Sequence, residues 1–250
     1  MSNIVTEERD GVVVLRIDRP PVNALDVDTL VELSDGLDSS REEGHDALVL
    51  TGAGRVFSAG ADLRRVLDAD ADYAAAGIAA LSRAFETLFT HPHPVVAAVN
   101  GAALAGGAIL TSACDHRMIA SGAVIGAIEL RAGVPFPAWA LEVLRYAVDD
   151  RHFQEITYFG EAYEANDALS VGLVDEVISG GQVVDRAVEV ARRLGSVPRA
   201  SFELTKRSMR EPTAAAARAA TRWDGDVADA WASSEVRDAI REQLARLGAR

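Results

Sequence analysis

Twice in this chain an apolar run gives way directly to a stretch of glycine and alanine. Ala47-Leu48-Val49-Leu50-Thr51 leads into Phe57-Ser58-Ala59-Gly60-Ala61-Asp62-Leu63. Val95-Val96-Ala97-Ala98-Val99 leads into Asn100-Gly101-Ala102-Ala103-Leu104-Ala105-Gly106-Gly107. Side chains this small let a ligand come close to the main chain, so backbone N–H groups can act as the binding element. Two such loops in one domain suggest paired donors aimed at one oxygen, an oxyanion hole. Either loop alone reads equally well as a tight strand-to-helix connection.

The 250 residues are enough for one large domain, or one domain with an appendage, and 49% hydrophobic against 25% charged residues describe a globular chain. A net charge of -13 argues against nucleic acid or an anionic membrane as partner. No apolar run approaches bilayer length, and the polar start Met1-Ser2-Asn3 is unlike a signal or transit peptide. A cytoplasmic location with no membrane partner is therefore expected. Cys114 is the only cysteine, which excludes an internal disulfide and a cysteine-based metal site. His91 and His93 bracket Pro92 without the spacing of a helical metal pair, so no metal is expected. Basic residues gather at Arg64-Arg65 and at Lys206-Arg207 with Arg210, and Lys206 is the only lysine.

Ile4 to Glu8 and Val12 to Ile17 alternate around Asp10-Gly11, which predicts a β-hairpin. Asp26 is placed to cap a helix carrying Leu30 and Leu37, and Ile78, Leu81, Phe85 and Leu88 recur at helical spacing. Buried-looking strands are expected at Ala47–Thr51 and Val95–Val99, with a short strand at His116–Ala120 and another at Leu173–Ile178. A helix should start at the second glycine pair and another near Ala138. Beyond about Gly180 only helices are expected, interrupted near Gly195–Pro198 and at Pro212; Trp223 and Trp231 on them read as packing residues. Strands alternating with helices imply a layered α/β core, residues 1–195, followed by a helical region, 196–250. Thr51-Gly52-Ala53-Gly54 fails as a dinucleotide fingerprint, because Phe57 holds the third glycine position.

Together these segments resemble the crotonase (enoyl-CoA hydratase/isomerase) family. The match runs through Arg19-Pro20-Pro21-Val22-Asn23-Ala24-Leu25, both glycine loops, Ala113-Cys114-Asp115 and Ala168-Leu169-Ser170-Val171-Gly172-Leu173-Val174. The resemblance implies an α/β spiral of repeated ββα units with a helical C-terminal region that builds a homotrimer, often paired into a hexamer. It implies an acyl-CoA thioester as substrate, no separate cofactor, and oxyanion-hole N–H groups on Ala61 and Gly106. Pro21, Val22 and Ala24, with Ala59, Asp62, Leu63 and Arg64, would border the CoA moiety. Lys206 falls near where relatives place a basic residue against CoA phosphate. The acyl pocket would involve Ile109, Phe136 and Trp139, within walls drawn from residues 66–85 and Phe136–Trp139.

Family hydratases use two glutamates. The first maps to position 109, which is Ile109, and the second to Glu129. Adding water across a double bond needs a group to activate the water as well as a proton source, and half of that apparatus is absent. Moving a double bond needs one carboxylate. It takes a proton from the α carbon of a 3-enoyl thioester and returns one at the γ carbon. The stretch Gly133-Val134-Pro135-Phe136-Pro137-Ala138-Trp139 also resembles the single-glutamate isomerases. The expected activity is therefore a 3-enoyl-CoA to 2-enoyl-CoA isomerase of fatty acid or related metabolism, with Glu129 as acid/base. The alternatives are a hydratase or other crotonase-type lyase or hydrolase, with Asp62 or Asp68 supplying the second group, and an acyl-CoA-binding protein without catalysis. For Glu129 itself, the competing reading is a carboxylate paired with Arg131 or Arg117.

Overall fold

Asp10 and Gly11, both at positive φ (52° and 78°), make the tight turn between the antiparallel strands β1 (Ile4–Arg9) and β2 (Val12–Ile17). The computed structural model describes residues 2–68, 70–179 and 181–248. After the hairpin, α1 (Val27–Glu42) starts on Asp26, whose carboxylate accepts from the Thr29 N–H at 2.9 Å.

Three ββα units follow. β3 (Leu48–Gly52) and β4 (Val56–Ser58) lead into α2 (Leu63–Asp68) and α3 (Ala71–Thr90). β5 (Val95–Val99) and β6 (Ala102–Leu104) lead into α4 (Gly106–Ala113). β7 (His116–Ala120) and β8 (Val124–Gly126) lead, through a 3-10 turn at Leu130–Ala132, into α5 (Ala138–Ala147) and α6 (Asp150–Phe159). The first strand of each unit joins a six-stranded sheet and the second joins a four-stranded one, so the chain winds as a spiral with one sheet on each side. The larger sheet runs β1-β2-β3-β5-β7-β10 and the smaller β4-β6-β8-β9, where β9 is Tyr163–Glu164 and β10 is Glu176–Ile178. From β2 to β10 the large sheet is parallel, and all five residues of β3 and of β5 are buried, as a parallel sheet covered on both faces requires. This is the α/β spiral that the family resemblance implied, where the strand–helix alternation alone gave a layered α/β core.

α7 (Ala165–Ser170) precedes β10, and the chain closes with α8 (Val183–Gly195), α9 (Arg199–Ala220), α10 (Asp224–Ala232) and α11 (Ser234–Gly248). α9 packs on α5, α10 on α3, and α11 on α2 and on the 3-10 turn. Two expectations about the elements are corrected. The strand expected over residues 173–178 is only its second half, because Leu173 and Val174 lie in the preceding turn. Pro212 does not interrupt the helical tail; it sits inside α9. An interior proline costs one backbone hydrogen bond, but buried Arg210, Ala214 and Ala217 hold the helix on both sides of it. Among the described residues, no helix is long and apolar enough to cross a membrane.

Candidate active site

The two glycine loops meet. Gly60 has φ of 82°, and a Cβ there would lie 2.7 Å from Ala105 Cβ and 3.0 Å from Gly106 N. Only glycine lets the backbones come this close. Leu25 bridges to the first loop, donating its N–H to Gly60 O at 2.8 Å and accepting from Asp62 N–H at 3.1 Å. Because successive peptide groups of an extended segment point to opposite sides, this pairing turns the Ala61 N–H away from Leu25. In the second loop, Ala105 holds a positive φ of 49° and its N–H is bonded to Gly126 O at 2.8 Å. Its carbonyl takes the N–H groups of Ala108 and Ile109, leaving Gly106 as the first residue of α4. Among the described residues no acceptor occupies the N–H of Ala61 or of Gly106. The helix dipole adds positive potential at Gly106.

Both residues line a cavity of about 140 Å³ that also contains Glu129. Glu129 stands at the head of the 3-10 turn, where its own carbonyl accepts from the Ala132 and Val134 N–H groups at 3.0 and 2.9 Å. The residue is 8% exposed, and among the described residues its Oε2 has no hydrogen-bond partner. Burial among apolar groups disfavours the charged form and pushes the carboxyl up to about 8. The alternative partners are engaged elsewhere: Arg131 with Glu161 at 3.0 Å, and Arg117 with Asp175 at 2.7 Å. Among the described residues that line the cavity, Glu129 is the only ionisable one.

Of the residues expected on the CoA side, Ala59 and Leu63 line the cavity with Ala61. The segment 21–24 lies beside them, since Ala59 N–H donates to Val22 O at 3.0 Å; Pro21 and Val22 are exposed and Ala24 is buried. Asp62 is bound to Arg19 at 2.8 Å and accepts from Arg65 N–H at 3.2 Å, while Arg64 is exposed. Lys206 is not brought to this cavity. Its Nζ is buried against Asp115 at 2.7 Å and His93 O at 3.3 Å. The loss of solvation there pulls the ammonium down to about 8.

The expected acyl-pocket residues are displaced by one helical face. Ile109, Phe136 and Trp139 are buried but do not line the cavity; Pro137 and Ala140 do. Positions 137 and 140 share a face as α5 begins, so Trp139 points the other way, edge-on to Phe89 with ring centroids 6.2 Å apart. Leu81 and Phe85, inside the expected 66–85 span, do contribute walls. Trp231 packs into the core as expected and also lines the cavity, as does Gln243 of α11. Neither place in the cavity was legible, because only the tertiary path of the tail brings α10 and α11 across the Glu129 turn. At Gly133 (φ 78°) a Cβ would lie 2.5 Å from Ala239 Cβ of α11, so helix and turn are in direct contact.

Among the described residues no three histidine, cysteine or carboxylate side chains are grouped to hold a metal ion. A buried carboxyl beside two unpaired amide donors can exchange a proton with a carbon acid whose oxygen the amides bind.

The family model described as enoyl-CoA hydratase/isomerase matches residues 7–243. A putative enoyl-CoA hydratase of Thermus thermophilus is 34% identical over 81% of this chain and 82% of its own length. The human mitochondrial enoyl-CoA delta isomerase 1 is 30% identical over 94% of this chain and 78% of its own. The crystal structure of human mitochondrial delta3-delta2-enoyl-CoA isomerase superposes with a TM-score of 0.92 at 28% identity, covering 99% of this chain and 98% of that one. The chain belongs to the enoyl-CoA hydratase/isomerase family, the crotonase family of acyl-CoA enzymes.

Proposed function

We propose that this chain is a 3-enoyl-CoA to 2-enoyl-CoA isomerase with Glu129 as its single acid/base. The observation that carries the reading is the isolation of Glu129, the one ionisable group lining the cavity among the described residues, with no cation beside it. The thioester carbonyl would accept from the N–H groups of Ala61 and Gly106. The Glu129 carboxylate would take a proton from the α carbon, and the electron pair would move onto the carbonyl oxygen as an enolate. Reprotonation at the γ carbon by the same carboxyl, with the electrons returning, gives the 2-enoyl ester and restores the carboxylate. Two fixed donors stabilise the enolate without reorganisation, and losing one such donor typically costs about a hundred- to a thousandfold in rate. The apolar walls support the same choice, because a site that excludes water disfavours hydration of the product.

Hydratases stand among the relatives at similar identity, so hydration is the second reading. It needs a group to activate water, and Asp62, one of the two candidates, is already bound to Arg19 and Arg65. Two assays separate the readings: double-bond migration on 3-hexenoyl-CoA and hydration of a short 2-enoyl-CoA. Migration well above hydration, abolished by Glu129→Gln with acyl-CoA binding retained, is the expected result. Unchanged turnover in that variant would remove Glu129 from the mechanism. Tight binding with no turnover on either ester would point to a non-catalytic acyl-CoA-binding protein. A homotrimer or hexamer is part of the same proposal, and sedimentation of the purified chain tests it.

A further inference from the structure

We infer that the acyl cavity is cut for short chains, about six carbons in all, and that Trp231 sets the limit. The inference rests on reading the Glu129 cavity as the acyl site. An apolar cavity of about 150 Å³ holds a benzene ring, a six-carbon ligand. The cavity at Glu129 is about 140 Å³, and because Ala61 and Gly106 line it, that volume includes the space next to the thioester carbonyl. Its walls are Leu81 and Phe85 from α3, Val134 and Ala140 around the start of α5, and Trp231 from α10; all five are buried.

These walls are tied to one another. Trp231 Nε1 donates to Pro135 O at 3.1 Å, which fixes the indole against the turn that carries Glu129. Asp224, the first residue of α10, accepts from Ser82 Oγ at 3.1 Å and from the Ala138 N–H at 2.9 Å. Ser82 adjoins Leu81, and Ala138 lies two residues before Ala140 in the same helix, so a single carboxylate locks the spacing of three walls. A cavity held this way does not widen cheaply for a longer chain, since close-packed interiors resist expansion.

The test uses the full chain with saturated acyl-CoA esters of four to twelve carbons, whose binding needs no reaction, and with the matching 3-enoyl-CoA esters. Each buried methylene is worth about 0.8 kcal/mol, or about fourfold in Kd. Expected is a fourfold tightening per methylene up to about six carbons, no further gain from about eight, and kcat/KM for the twelve-carbon ester at least about tenfold below that for six. Trp231→Ala should move the break to about ten carbons or beyond, and Ala140→Leu, which fills space instead of opening it, should move it to about four. If one variant fails to fold, the opposite shift in the other still decides the matter. Tightening that continues through twelve carbons, or a break unmoved in every folded variant, overturns the inference. A binding break near six carbons with no double-bond migration on any ester supports the chain limit while removing the isomerase reading.

Discussion

Glu129 combines two properties that ordinary surface carboxylates never share: it is buried, and among the described residues no cation answers its charge. At about 8, its carboxyl is largely protonated in the empty site at neutral pH, whereas removing the α proton requires the carboxylate. The isomerisation kcat/KM, which reports the free enzyme, should therefore rise with pH along a single limb near 8 and level off above it. At two units below that limb it should be about a hundredfold below the plateau, and a flat profile from pH 6 to 9 would contradict the assignment. The same shift affects folding. A carboxyl raised in the native state binds more protons folded than unfolded, so its stabilising contribution is complete below about 4.5 and lost as pH rises to about 8. Glu129→Gln carries no such dependence. Its Tm should match or exceed that of the parent chain by a margin that widens from pH 5 to 8, at a rate of up to about 1.4 kcal/mol per pH unit. Thermal melts of both proteins across that range check the sign. Glu129 was singled out only through the family resemblance, as the position where the second family glutamate falls; for a lone glutamate nothing local in the sequence marks it. Its isolation was not legible, since Arg131 and Arg117 stood near enough in sequence to pair with it, and only the fold sends them to Glu161 and Asp175.

The elements that hold the amides show where local sequence and tertiary demand part. Ala105 adopts φ of 49° with ψ of -124°, a conformation an alanine Cβ resists, at the residue that hands the chain into α4 and aims the Gly106 N–H. A backbone held in such a region costs about 1–3 kcal/mol and persists only when its surroundings over-determine it. Ala105 is clamped by its N–H on Gly126 O and its carbonyl under the first turn of α4. Replacing it by glycine removes the steric cost and adds the greater chain entropy of glycine, about 0.5–1 kcal/mol. Ala105→Gly should thus be stabilising by about 1 kcal/mol in urea unfolding, without any gain in kcat. A loss of stability would mean the residue is not strained. The long strands, the hairpin and the helix at the glycine pair were all readable, because their apolar runs are five or six residues long. The second strand of each unit, β4, β6 and β8, is only three residues long, too short for any periodicity to register; β4 and β6 fall in what read as the glycine loops, and β8 was assigned to no element. Those short strands nevertheless build the smaller sheet and deliver both glycine loops to one place.

Across the whole molecule, the helical tail is joined to the core by a buried ion cluster. Asp115, at the turn between α4 and β7, holds Lys206 at 2.7 Å and Arg210 at 2.9 Å, and also accepts from the Val95 N–H at 2.8 Å. Arg210 further donates to the carbonyls of Phe89, Ala113 and Cys114. The only lysine in the chain is thus an internal fastening of α9, where the family resemblance had placed a phosphate ligand; one residue's burial is a property of the whole fold and leaves no local mark. Removing Asp115 would leave two buried cations without an anion, which typically costs about 3–5 kcal/mol. Lys206→Met removes one charge and leaves the Arg210–Asp115 pair intact, so it should cost much less. The consequence for the site follows from connectivity, because α9 leads directly into α10 and α11, which carry Trp231 and Gln243 to the cavity. Loosening α9 should open the acyl site before the spiral core melts. In Asp115→Ala, activity and acyl-CoA binding should disappear at urea concentrations where hydrogen-exchange protection of the β3 and β5 amides persists, whereas in the parent chain the two should be lost together. Coincident loss in the variant would mean that tail and core unfold as one unit, with the cluster acting on overall stability alone.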